Sequence, residues 1–201
     1  MRVVLEVEDL AKSFGGAPLF QNLCFRAEPG LLAVSGRNGS GKSTLLKILA
    51  GLVRPTRGHV RLRGGGEILP RERWRAAVGW AAPEIEFLPE LTAVENLALL
   101  GGPEGAPPER AAELLERLRL PAGGRSFGSF SSGMKQRVRL AFSLLHDPPV
   151  LLWDEPFATL DVDGEAAARE LLAARRAGTT VVIASNDRRD FEGADGEVRL
   201  S

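Results

Sequence analysis

The chain has 201 residues, enough for one α/β domain with one substantial core and too few for two complete domains. Its 26 basic and 26 acidic side chains cancel, so no overall field draws it to nucleic acid or an anionic membrane, and no nucleic-acid partner is expected. The single cysteine, Cys24, excludes an internal disulfide, favours a reducing compartment and reads as a small buried hydrophobe in a mostly apolar run.

The N-terminal part begins as sheet. Val3 to Val7 alternates apolar and polar residues, Gly15-Gly16 and Pro18 punctuate, and Leu19 to Ala27 is a second strand. Leu31 to Ser35 is a short apolar strand that runs into glycines and then into Ser43 to Ala50, whose apolar spacing is helical and which stops at Gly51. Val60 to Leu62 reads as a strand, Gly64 to Gly66 as a break, Arg71 to Ala77 as a short helix and Val78 to Ala81 as a further strand.

From about residue 84 to 130 the character changes. Val94 to Leu100 and Glu109 to Leu120 are helical, separated by the glycine- and proline-rich stretch Gly101 to Pro108, which predicts an inserted α-helical subdomain. A helix is predicted from Ser131 to Leu145, a strand over Val150 to Trp153, a helix over Gly164 to Ala177 and a last strand over Thr180 to Ser185. Strands alternating with helices imply a mainly parallel, right-handedly connected sheet within a single domain over 1–201. No apolar run approaches the ~20 residues that cross a bilayer and no signal-peptide pattern opens the chain, so a soluble cytoplasmic protein is expected.

Gly36, Arg37, Asn38, Gly39, Ser40, Gly41, Lys42 and Ser43 fill every position of the P-loop pattern between an apolar strand and a helix. The glycines let consecutive backbone N–H groups point at phosphate oxygens beside a helix N-terminus. Lys42 supplies a charge for the β- and γ-phosphates of ATP, Ser43 a hydroxyl for Mg²⁺, and Thr44 supports the α-phosphate side. Downstream, Val150 to Trp153 ends in Asp154 and Glu155, which puts one carboxylate near the metal and the other near the attacking water. Together these residues point to an α/β P-loop NTPase that hydrolyses ATP.

At these residues the chain resembles the ATP-binding subunits of ABC transporters. The likeness extends over Phe14, Gly36 to Thr44, Leu91 to Leu97, Ser131 to Met134, Val150 to Glu155 and Leu160-Asp161. Phe130-Ser131-Ser132-Gly133-Met134 resembles the family signature, usually LSGGQ. The resemblance implies that Ser131 and Gly133 meet a γ-phosphate held by a second subunit, so that the site is completed in a homodimer or heterodimer. Taken alone, Ser-Ser-Gly before a helix is an ordinary N-cap. The resemblance also implies that Phe14 stacks on adenine, that Asp161 belongs to a loop linking the two composite sites, and that a separate transmembrane permease subunit is the partner. Peripheral attachment to the cytoplasmic membrane face follows, with the helical subdomain as docking surface.

Two positions depart from the family. The usual histidine contacting the γ-phosphate is replaced by Asn186, whose amide donates a neutral hydrogen bond, roughly half as strong as a charged one. The usual metal-contacting glutamine is replaced by Pro83 or, with a one-residue slip, by Glu84, which is either an oxygen ligand of the metal or a surface acid. Slow but measurable hydrolysis is expected. The short chain and its Ser-Ser-Gly-Met-Lys-Gln signature resemble the cytochrome c biogenesis (haem exporter) group, with a soluble assembly ATPase or a slow regulatory nucleotide-binding subunit as alternatives.

Overall fold

The computed structural model describes residues 2–101, 105–121 and 124–201, so residues 102–104 of the predicted Gly101 to Pro108 connection lie outside it. An antiparallel sheet is built from β1 (Val3–Phe14), β2 (Ala17–Ala27), β4 (Arg57–Gly64) and β5 (Glu67–Ile68), in the order β2-β1-β4-β5. A second sheet has β3 (Gly30–Gly36), β6 (Val78–Ala81), β7 (Val150–Asp154), β8 (Thr180–Ala184) and β9 (Gly196–Leu200), all parallel, in the order β6-β7-β8-β3-β9. The helices are α1 (Lys42–Leu49), α2 (Trp74–Ala77), α3 (Ala93–Leu100), α4 (Pro108–Arg117), α5 (Ser132–Ser143) and α6 (Val162–Arg176).

The central strands are apolar throughout because both their faces are covered. Along β7, Val150 and Leu152 join a core with α1 and the antiparallel sheet, whereas Leu151 and Trp153 join a second core with α3 to α6. Along β8, Val182 and Ala184 face the first core, and Val181 and Ile183 the second. This alternation anchors the ends of β3, β7 and β8 side by side. On α1, Leu45, Leu46, Ile48 and Leu49 are completely buried, each contributing about 1.5–3 kcal/mol. Leu46→Ala should weaken this anchor by about 2–5 kcal/mol.

α3 opens with a capping box in which Thr92 accepts from the Glu95 N–H and the Glu95 side chain accepts from the Thr92 N–H. At the centre of the α3–α5 region Asn96, fully buried, spends its amide on backbone groups: it accepts from Leu88 N–H at 2.7 Å and donates to Leu88 O at 2.9 Å. That closes the turn entering α3.

Two sequence expectations need correction. Cys24 is exposed, not buried. Leu23 and Phe25 pack against the core, so side-chain alternation turns residue 24 to the other face of β2, an edge strand, where its Sγ accepts from the Asp9 N–H at 3.2 Å. The parallel sheet also does not finish at residue 185. Gly196–Leu200 forms its edge strand beside β3, and the sequence there is polar because four of its five residues are not buried.

Candidate active site

β3 delivers the chain into the loop 37–41 and straight into α1. Gly36 and Gly41 have φ of 153° and 98°, and a β-carbon at Gly36 would lie 2.6 Å from Leu200 O of β9. Glycine is required there because the loop is pressed against the edge strand. No side chain caps α1, and its first internal bond is Leu45 N–H to Gly41 O, which leaves the preceding N–H groups of the first turn free for an anion. Ser40 Oγ is buried and has no partner, a further polar atom turned into this loop.

Lys42 is buried, its ammonium donating to Gly36 O at 2.8 Å, Arg37 O at 3.3 Å and Asn186 Oδ1 at 2.6 Å. An ammonium can only donate, which fixes the Asn186 amide with its oxygen towards Lys42 and its NH₂ towards Asn38 Oδ1, at 2.5 Å. Asn186, just beyond β8, therefore ties both arms of the P-loop together.

The end of β7 lies next to this loop. Asp154 is buried, and its Oδ1 has no hydrogen-bond partner. Burial pushes its pKa up, the Ser43 hydroxyl opposes this, and Glu84 adds to it. A buried carboxylate oxygen without a donor, beside a serine hydroxyl, is a fit for a hard divalent cation. Glu84 itself is exposed and paired with Lys47 of α1 at 2.9 Å, so its carboxylate is already engaged at the rim of the site. Glu155 sits at φ 48°, in the left-handed region that non-glycine residues rarely enter, with its N–H donating to Ala184 O at 2.8 Å. Burial raises its pKa, opposed by a hydrogen bond from Ser185 and by Lys42.

Sequence comparison agrees with this geometry. A protein-family model described as ABC transporter matches residues 20–158. The chain belongs to the ABC transporter family. An Fe(3+) ions import ATP-binding protein of Rhodococcus jostii is 37% identical over 194 residues, covering 91% of this chain and 55% of the relative. The chain thus spans about half the length of these iron-import relatives. A cytochrome c biogenesis ATP-binding export protein of Brucella abortus is 38% identical over 184 residues, 90% of this chain and 84% of that one. Among solved structures, a dimeric bacterial ABC transporter cassette superposes with TM-score 0.84 at 25% identity, over 98% of this chain and 94% of the other. An ATP-binding subunit of an ABC transporter does so with TM-score 0.84 at 29% identity, over 98% and 85%.

The ABC signature residues lie at the start of α5. Ser131 is the exposed N-cap of α5, its hydroxyl accepting from Met134 N–H at 3.2 Å, so it performs the ordinary capping role too. Gly133 packs against the loop before α6, where a β-carbon would meet Thr159 O at 2.8 Å. Asp161 caps α6 through Gly164 N–H at 2.9 Å and lies 3.9 Å from Arg137 of α5. Among the described residues no hydrogen bond joins Ser131 or Gly133 to Lys42, Asp154 or Glu155. Phe14 is 58% exposed at the end of β1, with the Lys12 ammonium 4.7 Å from its ring centroid. Sequence reasoning missed Ser185 and Asp190, which bear on Glu155; Ser185 looked like the end of a strand, and Asp190 carries no motif signal.

Proposed function

We propose that the chain is the ATP-hydrolysing subunit of an ABC transporter, acting as a homodimer or heterodimer of ATPase domains on a separate membrane subunit. The observation that carries this reading is the meeting of a P-loop with free helix N–H groups, a buried carboxylate with one oxygen lacking a donor (Asp154 Oδ1) and a strained acidic residue (Glu155). ATP phosphates lie in the cradle of Gly36 to Thr44 with Lys42 at the β- and γ-phosphates, and adenine stacks on exposed Phe14. Ser43 and Asp154 would hold Mg²⁺, which would neutralise charge on the phosphates, while Glu84 stays paired with Lys47 at the rim. Glu155 accepts a proton as water oxygen bonds to the γ-phosphorus and the bridging P–O bond to ADP breaks. Asn186 contributes a neutral hydrogen bond where a histidine would contribute a charge, which makes turnover slow.

Ser131 and Gly133 serve the site of the partner subunit, supported by the exposed position of Ser131 at the α5 N-terminus and by the absence, among the described residues, of a hydrogen bond from either to Lys42, Asp154 or Glu155. For the membrane subunit, the supporting feature is a groove of about 1050 Å³ beside α2 and α5, lined by Leu52, Arg71, Trp74, Leu100, Phe142 and His146. Leu52 is 64% exposed there, an apolar contact awaiting cover. Among the described residues no helix is long and apolar enough to cross a membrane; peripheral attachment on the cytoplasmic face, through the membrane subunit, belongs to the same reading. The likeness to a cytochrome c biogenesis ATP-binding export protein, 38% identical over 184 residues, supports the export subgroup.

The test is turnover of the chain assembled with its membrane partner. Glu155→Gln should bind ATP and accumulate as a dimer while losing hydrolysis; hydrolysis at the wild-type rate would remove Glu155 as base.

A further inference from the structure

We propose that Ser185, Asp190 and Arg169 form a positioning chain that aims the carboxylate of Glu155, an inference that rests on Glu155 being the base. Ser185 Oγ lies 3.0 Å from Glu155 Oε2 and 2.5 Å from Asp190 Oδ2, and it accepts the Asp187 N–H at 3.0 Å. Ser185 is fully buried and Asp190 nearly so, at 7% exposure. Their contacts are therefore not exchanged with water.

The proton count orders the chain. Ser185 has one hydroxyl proton and faces two carboxyl groups, so it donates to one and needs a donor from the other. Burial holds the Asp190 pKa above the usual carboxylate range. One proton in addition to the hydroxyl's own satisfies the pair of carboxyl groups, and Ser185, 2.5 Å from one and 3.0 Å from the other, is the group that links Glu155 to Asp190. Asp187 N–H occupies the remaining acceptor position and fixes the rotor.

The far end is anchored on α6. Arg169 Nη2 lies 3.5 Å from Asp190 Oδ1 and donates to Arg189 O at 3.3 Å, while its Nε bonds Glu165 at 2.8 Å. Its guanidinium lies 4.3 Å from the Phe157 ring centroid, two residues beyond Glu155. The Glu155 backbone is already held by Ala184 O, so its side chain is the remaining freedom, and Ser185 is the hydrogen-bond partner that removes it. A carboxylate held in the direction of the attacking water gains rate by orientation.

Steady-state kinetics with MgATP test this on the full chain. Ser185→Ala should lower kcat about tenfold, the loss of one charge-assisted hydrogen bond, while KM stays within about twofold. Ser185→Thr, which restores the hydroxyl, should recover most of the rate. Asp190→Ala should lower kcat in the wild-type background and have no further effect in Ser185→Ala, because it acts through that hydroxyl. Thermal melts and nucleotide binding confirm that each variant is folded. The proposal is overturned if Ser185→Ala turns over at the wild-type rate while Glu155→Gln is inactive, or if the two losses add. If Glu155→Gln itself retains turnover, it is the reading of Glu155 as base that fails.

Discussion

Asp154→Asn should stabilise the nucleotide-free protein and abolish its response to MgATP. Asp154 is 3% exposed and its Oδ1 has no donor, so the folded chain carries a buried negative charge that the amide would remove. A buried polar atom left unsatisfied costs at least about 1–3 kcal/mol, and in a chain of this size each kcal/mol moves Tm by roughly 2–4 °C. A rise of about 2–12 °C is expected in metal-free buffer at pH 8. The pH dependence fixes the sign. Burial raises the folded-state pKa of Asp154, so the folded chain binds that proton more tightly than the unfolded one. Its contribution to stability falls as pH rises through the folded-state pKa and recovers as pH drops towards the unfolded value near 4, so the advantage of the variant should shrink in acid. In the wild type, MgATP at a hundredfold excess over Kd should add about 2.7 kcal/mol; in the variant most of that should vanish. Differential scanning fluorimetry with and without MgATP reads both effects. A variant that melts lower than wild type without metal, or that gains equally from MgATP, would refute the reasoning.

Glu155→Gln should reduce turnover by roughly 10²–10⁴-fold with nucleotide affinity retained, measured by phosphate release and equilibrium binding. Gly133→Ala places a β-carbon 2.8 Å from Thr159 O, so it should cost about 1–3 kcal/mol in chemical denaturation by forcing α5 away from the loop before Asp161. Leu52→Asp should leave the ATP affinity of the free chain unchanged and release it from membranes carrying the partner subunit, scored by co-sedimentation. Cys24, exposed on an edge strand, should react with a thiol reagent in the folded protein at a rate little changed by denaturant.

The phosphate loop was legible because its chemistry is local. Glycines at 36, 39 and 41, Lys42 and Ser43 must lie within one short loop to wrap one phosphate chain, and β3 and α1 follow from apolar period alone. Val150 to Asp154 and Thr180 to Ala184 were legible for the same reason, since strands covered on both faces are uninterrupted apolar runs. Gly196–Leu200 was not, because an edge strand buries so little that its residues stay polar. Cys24 misled because an apolar run on an edge strand has one face in water, and only the pairing of β2 with β1 tells which residues take it.

What the sequence determined by itself is therefore the set of reacting groups: the cradle, Lys42, Ser43 and the two carboxylates at the end of β7. What only the tertiary structure decided is how they are held. Asn186 reaches Lys42 across 144 positions of sequence, and Ser185 couples Glu155 to Asp190 and so to Arg169 of α6. Those contacts join residues from different strands and helices. Sheet order sets them, which no local pattern encodes.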